Sequence, residues 1–311
     1  MKGHLFFRAS EDAIDMISRE YDLVHPLRAS LKYVRKEVAS LGDISKAQKM
    51  IDPLEEIHGV NYQKVFIDDS WEKQEEELAW ILLNSLFAIH EGWASEIFDI
   101  FKGIDFSNEL TFSKKLEATD LSVQFGSYFV TPSLQSTLID TVMQNKYIVD
   151  NKLDIGKLDK YMLMYRYFKE LRNCYMHHNG KITDRVVNAH TMYRAAVTCE
   201  TDVDAEELPE AIEPVLGDKA KITIRGVIGF SQFLRRIIII SDSMLMISKY
   251  AEQELITKQF DINWVSRRLS GTRLEQEKVI ERYFYKIGVH LPIDSYAFKE
   301  LLIANGIFKR A

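Results

Sequence analysis

The chain has 311 residues, 46% of them hydrophobic and 28% charged, and its 40 Lys and Arg against 46 Asp and Glu leave a formal charge of −6. Such a chain can build one large or two modest globular domains with a developed core. No global basic field draws nucleic acid in, which excludes a sequence-indifferent coating protein and leaves any such binding to a local basic patch. Only 14 Gly and 6 Pro at this length point to helices. Two cysteines, Cys174 and Cys199, form no disulfide framework and fit a reducing compartment. The first residues lack the apolar stretch of a signal peptide. Ile237–Ile240, bracketed by charges, falls short of the roughly 18 to 20 apolar residues of a membrane span. The expectation is a soluble, cytoplasmic protein with no membrane partner.

Residues 9 to 60 read as two or three helices, with Ser10 as an N-cap, a break at His25-Pro26, and turns at Gly42-Asp43 and Asp52-Pro53. Nothing there suggests chemistry, so 1–64 is expected to be a helical elaboration. From Asp69 the pattern lengthens. Leu78, Leu82, Leu86, Ile89, Trp93, Ile97 and Ile100 predict one long helix with acidic first turns, and His90 and Glu91 flank its stripe. Residues 103 to 150 are less regular but are expected to hold at least one more helix, and 121–131 reads equally as helix or strand.

Asp154 to His178 is the second strong pattern, with Leu158, Tyr161, Tyr165, Phe168, Arg172 and Tyr175 at steps of three and four. Arg172 stands where a core-facing helix would carry leucine. A charge there is costly unless it is paired or hydrogen-bonded, so it needs a carboxylate or a bound anion. Asn179-Gly180 then ends the helix. Between Lys157 and Arg185 there are seven Lys and Arg against three Asp and Glu. Residues 200 to 218 carry eight acids, no base and prolines at 209 and 214, and read as an exposed loop or linker. Lys221 to Arg225 is either a short strand or the run into a third long stripe, Phe230, Phe233, Ile237, Ile240, Met244, Ile247, Ala251 and Leu255, expected to be buried on most sides. Two shorter helices, 274–287 and 295–304 across a Gly288…Pro292 turn, would form a C-terminal appendage over 259–311.

The segment Leu171–Gly180 gathers the chemistry. Arginine neutralises phosphate with a planar fork of donors, and histidine moves protons near neutral pH. Arg172-Asn173-x-x-x-His177 resembles the motif of HEPN (higher eukaryotes and prokaryotes nucleotide-binding) domains. A long early helix, a helix ending in the motif, Asn-Gly after it and a long apolar final helix follow that family's order over roughly residues 65 to 255. The resemblance implies an all-α, HEPN-like bundle of four or five helices over 65–258, with extra N- and C-terminal helices. It also implies a metal-independent endoribonuclease of toxin or antiviral-defence type that needs no cofactor. In that chemistry His177 serves as general base or acid, Arg172 stabilises charge on the phosphoryl oxygens, and Asn173 orients the histidine or donates to the phosphate.

Positions 172 and 177 lie about 140° apart around an ideal helix, so the site is expected to be completed by a homodimer with a two-fold axis. A cognate antitoxin or sensor protein is a further expected partner, beside the RNA substrate. His178 competes with His177 for the catalytic role. Tyr175, Lys181, His90 and Glu91 are candidates for substrate binding, and Arg235-Arg236 and Arg267-Arg268 could extend an RNA groove. Against this stands a plainer reading, in which Arg172 pairs with Glu91 or Glu170 and the histidines sit at a helix C-terminus that favours cations. The alternative function is a non-catalytic helical module that binds a protein or nucleotide. Cys174-x-x-His177 is half a zinc signature with no second half, and no metal site is expected.

Overall fold

The three apolar stripes become three long helices that bury one another in the computed structural model of the chain. The structure describes residues 5, 7–53, 58–100, 155–246, 267–268, 271–287, 299–300, 302–303 and 308–309. The helices are α1 (Arg8–Leu41), α2 (Ile44–Ile51), α3 (Trp71–Ile100), α4 (Leu158–His177), α5 (Asp184–Ala196), α6 (Ile224–Met246) and α7 (Arg273–Ile287). Among the described residues the fold is all-α, its strands being a two-residue parallel pairing of β1 (Arg267–Arg268) with β2 (Phe308–Lys309). Among the described residues no helix is long and apolar enough to cross a membrane. The helix expected between 104 and 150, the stretch 121–131 and the end of the third stripe at Ile247, Ala251 and Leu255 lie outside the described residues, as does most of the 288–304 region.

α3, α4 and α6 meet at aromatic rings. Phe87 from α3, Tyr165 and Phe168 from α4 and Phe230 from α6 are all buried, and the rings of Phe168 and Phe230 stack with centroids 4.5 Å apart. α5 folds back on α4, with Tyr193 stacked on Tyr167 at 5.9 Å. α6 is buried around most of its circumference, as its broad apolar stripe predicts. Lys221–Thr223 is the irregular run into it.

α1 departs from the expected pattern twice. Pro26 does not break it: the helix runs from Arg8 to Leu41 with Pro26 inside. An internal proline costs about 3 kcal/mol of helix propensity, but here packing holds the helix on both sides of it. Ala13, Ile17 and Val24 lie in the same core cluster as α3, α4 and α6, and the Tyr21 hydroxyl donates to the Ile228 carbonyl at 3.1 Å. Beyond the proline, Arg28 pairs with Glu75 and Val38 seats in a small second cluster with Ala47, Tyr62 and Phe66. Ser10 is not the N-cap either. Phe7 holds that position, its N–H donating to the buried Asp242 of α6 at 3.0 Å, while Ser10 is fully buried and accepts from the Trp93 indole at 2.9 Å. The turns at Gly42 and Asp52 stand where expected; Gly42 is left-handed (φ 61°) and the Asp43 carboxylate caps α2. At the other end, Thr272 and Glu275 form a reciprocal capping box at the start of α7, with the Thr272 N–H donating to Glu275 at 2.7 Å.

The acidic stretch 200–218 is no detached linker. It runs along α4 as a strap, in the same direction as the helix. Asp204 and Asp202 pair with Lys157 and Lys160 at 2.5 and 2.7 Å, the Tyr167 hydroxyl donates to the Ile212 carbonyl at 2.9 Å, and the Ile182 N–H donates to Asp218 at 2.9 Å. Arg236 of α6 donates to the carbonyls of Val203 and Asp204. That guanidinium therefore serves the strap and is not spare for an RNA groove. The backbone and side-chain bonds that Asp202 accepts from Lys160, Thr198 and Cys199 hold its carboxyl well below the usual carboxylate range.

Candidate active site

α4 lies antiparallel against α3. Tyr165 meets His90 and Phe87, Arg172 meets Phe87 and Glu91, and Tyr175 meets Trp80 and Glu77. Helical side chains lean toward the N-terminus of their own helix, and Arg172 accordingly reaches back to the level of Phe87, its guanidinium 5.9 Å from the ring centre. The arginine is held without being satisfied. Its side chain is 22% exposed, its Nη1 is 3.7 Å from the 41% exposed carboxylate of Glu91, and its Nε is buried with no hydrogen-bond partner among the described residues. At 3.7 Å and partly in solvent, the Glu91 contact is a weak ion pair. Glu170, the other carboxylate considered for Arg172, pairs with Arg166 at 2.7 Å instead.

The end of α4 is built by its last turn. The Cys174 carbonyl accepts from the N–H groups of both His178 and Gly180 at 3.0 Å. Asn179 (φ 53°) and Gly180 (φ 72°) then take the left-handed conformation that these two residue types tolerate best. Cys174 itself is buried, with its sulfur 3.6 Å from the Thr183 hydroxyl at the start of α5. This leaves His177, His178 and Lys181 exposed around the turn, while Asn173 is half-buried. Arg172 faces α3 and His177 faces solvent at the helix end. Within one chain the two are neighbours along α4 but not partners across a shared face.

Tyr175 is half-buried, its ring stacked on the buried Trp80 at 4.3 Å and 12° and its hydroxyl donating to Glu77 at 3.2 Å. Tyr161 and Tyr165 lie in the core and are closed to any base. His90 is also in the core rather than on a substrate-facing surface. It is fully buried, with Nδ1 3.2 Å from the Tyr165 hydroxyl. Burial, and then the charge of Lys169, push its pKa down to about 3. The folded protein thus keeps His90 neutral, whereas the unfolded chain protonates it near the ordinary histidine value of 6.5. Stability is expected to fall as pH drops below that value, by about 2 kcal/mol at pH 5. Urea unfolding at pH 7 and pH 5 checks this: His90→Gln should lose less stability between the two than the native protein does, and parallel losses would refute it.

Three residues of this region escaped the sequence reading. Trp80 falls between the stripe positions Leu78 and Leu82, so the helical period gives it no distinction. Asn84, on the same face of α3, buries an amide oxygen with no partner among the described residues. Lys219 lies in the antiparallel bridge with Lys181 and donates to the Asn179 carbonyl at 2.5 Å. Its only sequence signal is the abrupt change from eight acids to Lys219 and Lys221. No group of three or more His, Cys, Asp and Glu among the described residues is placed to hold a metal ion. No protein-family model, curated protein or solved structure matches the chain.

Proposed function

We propose that the chain is a metal-independent endoribonuclease of HEPN type, with Arg172 and His177 as its catalytic pair. The observation that carries this reading is the state of Arg172. A buried N–H without an acceptor costs about 1–3 kcal/mol, and native proteins rarely keep one without a use. Among the described residues the Arg172 Nε is such a donor, on an arginine whose one carboxylate contact there is long and partly in solvent. A phosphodiester supplies the missing acceptor and the stronger counter-charge. The long α3, the α4 ending in the motif and the apolar α6 support the same family reading.

In this chemistry the RNA 2′-oxygen bonds to phosphorus while its proton passes to His177. The bond to the 5′-oxygen breaks, leaving a 2′,3′-cyclic phosphate, and the departing oxygen takes a proton from a second histidine. Arg172 neutralises the charge that grows on the phosphoryl oxygens. His178, or His177 of a second copy across a two-fold axis, supplies that second proton, and Asn173 orients the histidine. The opposite facings of Arg172 and His177 favour the homodimer, in which two half-sites share one cleft. A toxin or antiviral effector acting in the cytoplasm, restrained by a cognate antitoxin or sensor, is the setting this activity fits.

The Arg172–Glu91 contact favours the second reading, a non-catalytic module in which the arginine is structural. RNA cleavage in EDTA separates the two. The native protein is expected to cleave, His177→Ala to lose about 10²- to 10⁴-fold, and His178→Ala to lose less if His177 is the base. Inert native protein would favour the binding module, and cleavage abolished by EDTA would mean a metal-dependent enzyme.

A further inference from the structure

We propose that Lys219, together with Lys181, grips the RNA backbone beside the motif turn as a phosphate-binding pair. The purpose assigned to the pair rests on the nuclease reading, but the geometry does not. Gly180–Ile182 and Gly217–Ala220 form a short antiparallel ladder, with the Ala220 N–H donating to Gly180 at 2.8 Å and the Gly217 N–H to Ile182 at 3.0 Å. Lys181 and Lys219 are the bridge partners within it. Side chains directly opposite in an antiparallel pair share one face with Cβ atoms about 5 Å apart, and like charges there repel. Both lysines are exposed, and neither is paired with an acid among the described residues.

Part of that repulsion is already relieved. The Lys219 ammonium leans over the left-handed turn and donates to the Asn179 carbonyl at 2.5 Å, with its Cδ and Nζ 3.6 Å from where a Gly180 Cβ would stand. This brings its charge within two residues of His177. Lys181 has no such carbonyl among the described residues. Asp218 belongs to the opposite face, because successive residues of an extended strand alternate. A ligand that relieves two facing ammoniums beside two histidines is an extended polyanion with phosphate-like spacing. A single-stranded RNA backbone meets that description. The strap thus delivers, after its eight acids, a lysine that reaches the turn.

Lys219 also lies where a cation favours a helix C-terminus, so a purely structural role has to be separated from binding. Fluorescence anisotropy with a single-stranded, fully 2′-O-methylated RNA oligonucleotide does this without cleavage. The doubly substituted Lys181→Ala/Lys219→Ala protein should bind about tenfold more weakly near 0.1 M salt. Its plot of log affinity against log salt should flatten by about 0.7 per lysine removed. Lys219→Arg should keep the native slope. A helix-capping role would shift thermal stability and leave the slope alone. Unchanged affinity and slope in the double variant would overturn the proposal, as would native protein that binds no RNA. Polyglutamate bound as tightly, with the same lysine dependence, would overturn the RNA assignment. Should the double variant not fold, the two single variants, each expected to flatten the slope by half as much, carry the test. Cleavage with an unaltered slope would remove this inference alone; lysine-dependent binding without cleavage would uphold it and remove the nuclease.

Discussion

Replacing Arg172 by alanine is expected to lower the rate of RNA cleavage by about 10²- to 10³-fold while leaving the folded state nearly as stable as before. The rate effect is the size seen when one preorganised donor to a developing oxyanion is removed. The stability effect is small for three reasons. The Glu91 contact is 3.7 Å long and partly in solvent, the contact with Phe87 is a modest cation–π contribution, and deleting the guanidinium also deletes a buried N–H that has no acceptor among the described residues. Arg172→Lys should recover little, because an ammonium lacks the planar fork and the Nε donor. Cleavage rates and urea midpoints measured on the same three proteins check this. Full cleavage by Arg172→Ala would remove the arginine from the site, and equal losses of activity and stability would make it structural.

The largest expected loss of stability is at Phe230. This buried ring stacks on Phe168 at 4.5 Å and on Phe87 at 5.6 Å, and lies 6.2 Å from Tyr165, so one side chain of α6 touches both α3 and α4. Truncating such a phenylalanine removes its burial and leaves a cavity that surrounding helices fill only in part, at a cost of about 3–5 kcal/mol for Phe230→Ala. That is a large fraction of the stability of an ordinary domain. Phe87, one of these rings, lies under the guanidinium of Arg172, so a variant that stays folded in the cold should also cleave more slowly. Denaturant midpoints measure the first effect. A cost below about 1 kcal/mol would mean that the rings do not close the core.

What the sequence revealed depended on the range of the interaction. The helical stripes of α3, α4 and α6 were legible because every third or fourth residue repeats the same signal, and Arg172 stood out as the one charge on such a stripe. The Asn179-Gly180 stop was legible because left-handed backbone admits few residue types. Pro26 misled because its local penalty is outweighed by contacts with residues such as Ile228, far away in sequence. Ser10 misled because its hydroxyl is engaged by Trp93, 83 positions on. His90 gave no sign of being buried, since its partner Tyr165 sits on another helix. Lys219 reaches the site only through a bridge that closes after the strap has run the length of α4.

That strap has a mechanical consequence. Twenty residues of α4 span about 30 Å, and one continuous stretch is fastened at both ends of that length, by Asp202 and Asp204 at the start and by Asp218 and Lys219 at the finish. It works as a tie rod alongside the helix. Between those ends the Tyr167 hydroxyl and the Arg236 guanidinium also hold it, so breaking the two lysine pairs alone frees only its first few residues, and play reaches the histidine turn only when these bonds give way as well.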